Sequence, residues 1–261
     1  MHAQAAKPPD WTGATRFFVP NEDAAVARMA LALLPTKPQR LLAVTGSGMT
    51  ALDLLPELPL GASMTCIDLS AFQKNYLREL LATVRAAENP AGLQGWLRNQ
   101  IVPRLNAHYR SRGQSYSYDK VLRALRELFR IRFFFDARTL AVVRARLSMV
   151  KNLQGNLLEQ VAGAEEYDFV HLSNIVDYLS PEERTTLFGH CARKGTAIFC
   201  IQTTACPDPQ VLISTWQTAD FAPHPGNESL NAANRALGTH HPTRPWMRPG
   251  NVYLLLPPSK T

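Results

Sequence analysis

Two glycines and an acid, set at the ends of two apolar runs, are the residues most capable of chemistry in this chain. Leu41-Leu42-Ala43-Val44 runs into Thr45-Gly46-Ser47-Gly48-Met49-Thr50, and Met64-Thr65-Cys66-Ile67 ends in Asp68. The pattern predicts a strand, a tight glycine turn that lets backbone approach a ligand, a helix, and a second strand whose terminal carboxylate meets a ribose diol. A nucleoside-bearing cofactor follows. A phosphate-binding P-loop is excluded because no lysine follows the glycines. A dinucleotide stays open, since Gly46 to Ala51 formally matches G-x-G-x-x-G/A with Asp68 at the expected distance.

S-adenosylmethionine (SAM) asks for more acids, and they are present. The aromatic run Ile131-Arg132-Phe133-Phe134-Phe135 ends in Asp136-Ala137, where a carboxylate would reach the adenine amino group. Tyr167–Leu172 forms another apolar run, and beyond it Ser173, Asn174, Asp177 and Tyr178 would face the reacting carbon. Acids or polar groups closing successive strands favour SAM over NAD. The expected cofactor-binding set is Thr45, Gly46, Ser47, Gly48, Asp68, Leu69, Gln73, Asp136, Ala137 and Ser173. Ser173, Asn174, Asp177 and Tyr178 are the expected catalytic set. No metal site is expected: His240-His241 lacks companion ligands, and His171 reads as a packed strand residue.

Strands and helices alternate around these residues. A helix is expected over 22–34, strands at Leu41–Val44 and Met64–Ile67, and a short helix at Ala51–Leu55. Ser70-x-x-Gln73 reads as a capping box ahead of Phe72, Tyr76, Leu77, Leu80, Leu81 and Val84 at helical spacing. Strand three is expected at Ile131–Phe135 and one long helix at Leu140–Val161. Strands four and five follow at 167–172 and 196–201, with Ser180-Pro181-Glu182-Glu183 opening the helix between them. A helix at Gln210–Trp216 and a strand at Asn251–Leu256 close the chain. The predicted class is α/β, a doubly wound, mainly parallel sheet of the class I SAM-dependent methyltransferase-like Rossmann type. Residues 1–38 would form an N-terminal helical cover, anchored by Trp11, Phe17 and Phe18. Residues 39–261 would form the SAM-binding unit, with a helical insertion at about 89–130.

Two segments carry a family resemblance. Asp68-Leu69-Ser70-Ala71-Phe72-Gln73-Lys74-Asn75-Tyr76-Leu77-Arg78-Glu79-Leu80 is similar to the D-L-N-P-x-Q-x-x-L-x-E-L helix of the SAM-dependent 3-amino-3-carboxypropyltransferases related to betaine-lipid synthases, with Ala71 in place of the proline. His171-Leu172-Ser173-Asn174-Ile175-Val176-Asp177-Tyr178-Leu179 resembles that family's L-S-N-I-x-D-Y segment, and Asn21-Glu22-Asp23 its E-D-P triplet. The resemblance spans roughly residues 17–202. It implies attack at Cγ of the SAM aminocarboxypropyl arm with release of methylthioadenosine. The nucleophile would be a small acceptor, or the SAM amine itself, giving azetidine-2-carboxylate as in short natural-product relatives. A small-molecule methyltransferase is the alternative. Aromatic faces from Tyr178 and Phe17 or Phe18 would hold the sulfonium.

Bulk composition sets the remaining bounds. The 261 residues are 46% hydrophobic and 19% charged, as expected of an ordinary globular chain. No apolar run approaches the roughly 18 residues of a membrane span, and the first nine residues lack the apolar core of a secretory signal, so a cytoplasmic location is expected. Cys66, Cys191, Cys200 and Cys206 have no Cys-x-x-Cys spacing and read as reduced core thiols. The net charge of +7 leaves a membrane lipid open as acceptor, less favoured than a small molecule. Nucleic acid is disfavoured because the arginines are not interleaved with aromatics.

Overall fold

The computed structural model describes residues 17–20, 22–110, 113–202, 209–238 and 250–258. Trp11, Cys206 and His240-His241 lie outside them. In chain order the elements are α1 (Ala24–Leu33), β1 (Arg40–Val44), α2 (Met49–Leu54), β2 (Ser63–Asp68), α3 (Ala71–Ala86), α4 (Pro90–Trp96), α5 (Val102–Tyr109) and α6 (Tyr118–Arg123). There follow α7 (Ala137–Ala145), β3 (Val150–Gln154), α8 (Leu157–Ala162), β4 (Phe169–Ser173), α9 (Pro181–Lys194), β5 (Ala197–Gln202), α10 (Pro209–Thr218), β6 (Ala222–Pro223), α11 (Asn227–Gly238) and β7 (Asn251–Leu256).

Seven strands form one sheet in the order β3-β2-β1-β4-β5-β7-β6. β1 to β5 pair in parallel and β7 runs antiparallel to β5 and β6. This is the expected doubly wound, mainly parallel α/β sheet, with β7 as its antiparallel member. The strand order reverses between β1 and β4, and ligands of such sheets bind at the carboxyl ends flanking that switch point. The inner strands are apolar on both faces: Leu41, Leu42 and Ala43 of β1, Phe169, Val170 and Leu172 of β4, and Ile198, Phe199 and Cys200 of β5 are buried. Cys66, Cys191 and Cys200 are free, buried thiols. Burial pushes Cys66 and Cys191 up to about 12, which keeps them protonated and unreactive.

Strand three lies elsewhere than the sequence pattern places it. Ile131–Phe135 contributes the 3-10 turn Arg132–Phe134, whose phenylalanines Phe133 and Phe134 are buried in the core. The sheet instead takes Val150-Lys151-Asn152-Leu153-Gln154 as its edge strand beside β2. Edge strands are commonly short and polar, so no apolar run marks this one. The helix expected over 140–161 is accordingly cut into α7, a 3-10 turn at Leu147–Met149, β3 and α8.

A buried charge cluster ties α1 and α2 to that aromatic turn. Arg28 donates to Asp53 Oδ2, and Asp53 Oδ1 accepts from the Arg132 backbone N–H at 2.7 Å. Arg132 also reaches Glu57 at 2.7 Å. Burial raises the Asp53 carboxyl to about 6 against the opposing pull of Arg28 and Arg132. An unfolded aspartate ionises near its ordinary 3.8, so between there and about 6 the folded state keeps a proton the unfolded state has lost. Asp53's contribution to stability is therefore full below that window and declines as pH rises through it. In urea unfolding, Asp53→Asn is expected to flatten this declining component of the pH profile; an unchanged profile would refute it.

Candidate functional site

A cleft opens over the carboxyl ends of β1, β2, β3 and β4. Its lining includes Thr45, Gly46, Ser47 and Thr50 from the first turn, Asp68 to Ser70 and Gln73 after β2, and Gly155 to Leu158 after β3. Ser173, Asn174, Ile175, Tyr178 and Leu179 line it after β4, and Phe17, Pro20 and Glu22 from the N-terminal side.

The first turn is shaped by its glycines. Both adopt left-handed backbone, Gly46 at φ +48 and Gly48 at φ +73. A Cβ on Gly46 would meet nothing within 4 Å and would project into open space beside the cleft. On Gly48 it would sit 2.6 Å from Leu77 Cδ1, so Gly48 is needed for packing against α3 rather than for the cleft wall. Thr45 N–H is bonded to Ile67 O at 2.9 Å, which locks the turn to β2. The hydroxyls of Thr45 and Thr50 are buried with no partner among the described residues. A cradle a side chain would fill and orphaned hydroxyls beside it suit a polar ligand laid across the turn.

Asp68 lies at the end of β2, its Oδ1 accepting from Ser70 N–H at 2.9 Å. Burial raises its pKa above the ordinary 3.8, opposed by hydrogen bonds from Ser70 and Gly46. Next to it Leu69 is 54% exposed, a large apolar side chain left open at the cleft.

Gln73 takes a different job from the one its spacing suggests. Ser70 Oγ accepts from Gln73 N–H at 3.4 Å, but the Gln73 amide does not return to Ser70. It accepts from Phe17 N–H at 3.1 Å and donates to Phe17 O at 3.1 Å and to Gly46 O. By contrast the box at α9 is complete, with Ser180 Oγ accepting from Glu183 N–H at 3.1 Å and Glu183 Oε2 from Ser180 N–H at 2.7 Å. Gln73 thus holds the N-terminal segment against the glycine turn, with Tyr76 Oη donating to Phe18 O at 2.7 Å. Phe17 lines the cleft, whereas Phe18 turns away to pack edge-on against Phe72 and Tyr76. Gln73→Leu would strand buried polar groups on both partners. A loss of about 1–3 kcal/mol in urea unfolding is expected, with faster proteolysis ahead of α1. Unchanged cleavage would show that the segment is held otherwise.

At the end of β4 the backbone is strained. The pairing of β4 with β5 shifts between His171 and Ser173, and Ser173 adopts φ +53. Ser173 Oγ donates to Glu22 Oε2, and Asn174 Nδ2 donates to Tyr178 Oη at 3.3 Å. Burial, then the neighbouring Asp177, raises the Tyr178 phenol above its ordinary 10.0. At neutral pH it is therefore a protonated, hydrogen-bonding hydroxyl.

The cleft does not take in every expected residue. Asp136 caps α7, accepting from Thr139 N–H at 2.8 Å, and is exposed; neither it nor Ala137 lines the cleft, because neither follows β3. The position expected of them belongs to Asn156, which caps α8 by accepting from Leu158 N–H at 2.8 Å. Gly155-Asn156, a turn residue followed by a helix cap, is the sequence signal for that junction. Asp177 ends the 3-10 turn Ile175–Asp177 outside the lining, and Gly48 lies behind it. Glu22, Thr50, Asn156 and Glu183 also line the cleft, outside the set that the sequence pattern selects.

No protein-family model and no curated protein matches the chain. Among solved structures it is similar to the CcbJ methyltransferase from Streptomyces caelestis, at 16% identity and a TM-score of 0.40 over 74% of this chain and 53% of that one. PigF with SAH is 10% identical, with a TM-score of 0.45 over 90% of this chain and 54% of that one. TrmN from Thermus thermophilus is 13% identical, with a TM-score of 0.44 over 91% and 50%. The chain spans about half the length of each.

Proposed function

We propose that this chain is a SAM-dependent transferase that directs attack at Cγ of the aminocarboxypropyl arm and releases methylthioadenosine. One observation carries the cofactor: the described cleft lining holds the carboxylates Glu22, Asp68 and Glu183 and no lysine or arginine, in a chain of net charge +7. Such a wall repels a pyrophosphate and suits a ligand bearing a sulfonium and an ammonium, which favours SAM over a dinucleotide.

The residues fit that group. Asp68 would accept the ribose hydroxyls, and Leu69, Leu157 and Leu158 offer apolar walls for a purine beside the Asn156 amide. The turn Thr45–Ser47 supplies backbone and hydroxyls to the amino acid end. Bound SAM would supply a sulfonium flanked by three electrophilic carbons. The protein's part is orientation: Ser173, Asn174 and Tyr178 fix polar groups beyond β4, and good alignment contributes on the order of 7–11 kcal/mol to such displacements.

The Cγ reading is supported by the resemblance across Asp68–Leu80 and His171–Leu179, whose Asp68, Leu69, Gln73, Ser173, Asn174 and Tyr178 lie around one cleft. The acceptor is a small molecule or the SAM amine itself. Methyl transfer to a small acceptor is the competing reading, favoured by a sheet order common to methyl-transferring enzymes. Incubation with SAM alone and mass spectrometry of every SAM-derived product, against a no-enzyme control, separates them. Catalysed methylthioadenosine with azetidine-2-carboxylate supports intramolecular attack. If SAM survives, an acceptor screen follows, and S-adenosylhomocysteine as its product would sink the Cγ reading.

A further inference from the structure

Glu22 on the cleft lining and the buried His171 beside it form a pair whose individual roles the net charge of the wall leaves open. Glu22 precedes α1 and lines the cleft with a side chain only 9% exposed. Its Oε2 accepts from Ser173 Oγ, and its Oε1 lies 3.8 Å from His171 Nε2, too far for a hydrogen bond. His171 is itself 1% exposed, in the middle of β4, and stacks on Phe199 with ring centroids 5.2 Å apart. Neither of its ring nitrogens has a hydrogen-bond partner among the described residues.

A carboxylate this buried normally has a cation beside it. Among the described residues no lysine or arginine forms an ion pair with Glu22. His171, the neighbour among the described residues that could become cationic, is held the other way, since burial lowers its pKa while Glu22 opposes the drop only in part. The Glu22 carboxyl thus faces the cleft with Ser173 fixing one oxygen and the second lying near a neutral imidazole.

We infer that Glu22 is the side chain that receives the ammonium of the ligand's amino acid arm, and that His171 is its positioning residue, packed beneath the carboxylate without neutralising it. The inference rests on the SAM reading of the cleft and deepens it. It assigns Glu22 a binding role that would hold the amine next to Ser173 and Asn174. A neutral shelf is the right support for this, because a cation in place of His171 would satisfy Glu22 and weaken its hold on the ligand.

Isothermal titration of the full chain with three ligands tests it. Methylthioadenosine has the nucleoside without the amino acid arm, S-adenosylhomocysteine has both, and its desamino analogue lacks only the ammonium. Glu22→Gln is expected to weaken S-adenosylhomocysteine about 10- to 100-fold, the range of a hydrogen bond to a charged group, and to leave methylthioadenosine and the desamino analogue unchanged. His171→Leu is expected to weaken S-adenosylhomocysteine in the wild-type background but not when Glu22 is already Gln. Equal losses for all three ligands, or additive effects of the two substitutions, would overturn the inference while leaving the SAM reading intact. Wild-type chain that binds none of the three would overturn both. An unchanged urea midpoint serves as the folding control for each variant.

Discussion

Gly48→Ala is expected to destabilise the chain by about 2–5 kcal/mol, and Gly46→Ala by only about 1–2 kcal/mol, with the two exchanging places in a binding assay. Both residues adopt left-handed backbone, and an alanine there costs about 1–2 kcal/mol. Gly48 carries a second cost. Its new methyl would lie 2.6 Å from Leu77 Cδ1, and Leu77 is fully buried, so the leucine cannot swing aside; overpacking of this kind adds about 1–3 kcal/mol. Against a typical total of about 5–15 kcal/mol, that is a large share, read as a lower urea midpoint. At Gly46 nothing crowds the methyl, which instead projects beside the cleft where a ligand must approach the backbone. SAM affinity is expected to fall about tenfold or more in a folded protein, equivalent to about 1.4 kcal/mol or above. Wild-type SAM affinity in Gly46→Ala would mean that the ligand does not cross this turn.

The same turn shows which features of the site are legible in the sequence. Glycine after an apolar strand and an acid after the next are local consequences of backbone geometry, so residue type and spacing alone place Gly46, Gly48 and Asp68. Strands β1, β2, β4 and β5 are legible because inner strands of a parallel sheet are continuous apolar runs, and the antiparallel β7 is legible from its own apolar run over 252–256. β3 is not, because it is an edge strand whose Lys151, Asn152 and Gln154 carry no such run, while the buried aromatics of Ile131–Phe135 imitate one. The placing of Asp136 and Ala137 at the end of a third strand has that origin, and it hides Asn156, which follows β3 and lines the cleft instead. Gln73 reads by its spacing as a partner of Ser70, yet its amide serves Phe17, 56 residues away. Such a tertiary contact leaves no local signature. Glu22 is visible as part of a triplet, but its meaning depends on His171 and Ser173, which only the fold brings beside it.

Tyr178→Phe is expected to lower kcat about 100-fold while KM changes little, and the pH profile distinguishes why. If the phenol were a base, activity would climb as it ionised. Burial and the adjacent Asp177 hold its pKa above the ordinary 10.0, so at neutral pH that form is scarce. Asn174 Nδ2 donates to Tyr178 Oη at 3.3 Å, which directs the hydroxyl as a fixed dipole toward the cleft wall it lines. Loss of such an orienting group misplaces the reacting atoms, and displacement by about 1 Å costs on the order of 100-fold. The wild-type rate should therefore show no rise that disappears in Tyr178→Phe across the neutral range. The acid side belongs to Asp68. Its raised pKa means that protonation, and with it loss of the proposed ribose contact, sets in at a higher pH than for an ordinary aspartate. KM for SAM is expected to climb on acidification in the wild type and in Tyr178→Phe alike, and to be high and nearly flat in Asp68→Asn. An alkaline limb lost with the Tyr178 hydroxyl would instead make that residue the base, and would require the Asn174 contact to stabilise a phenolate.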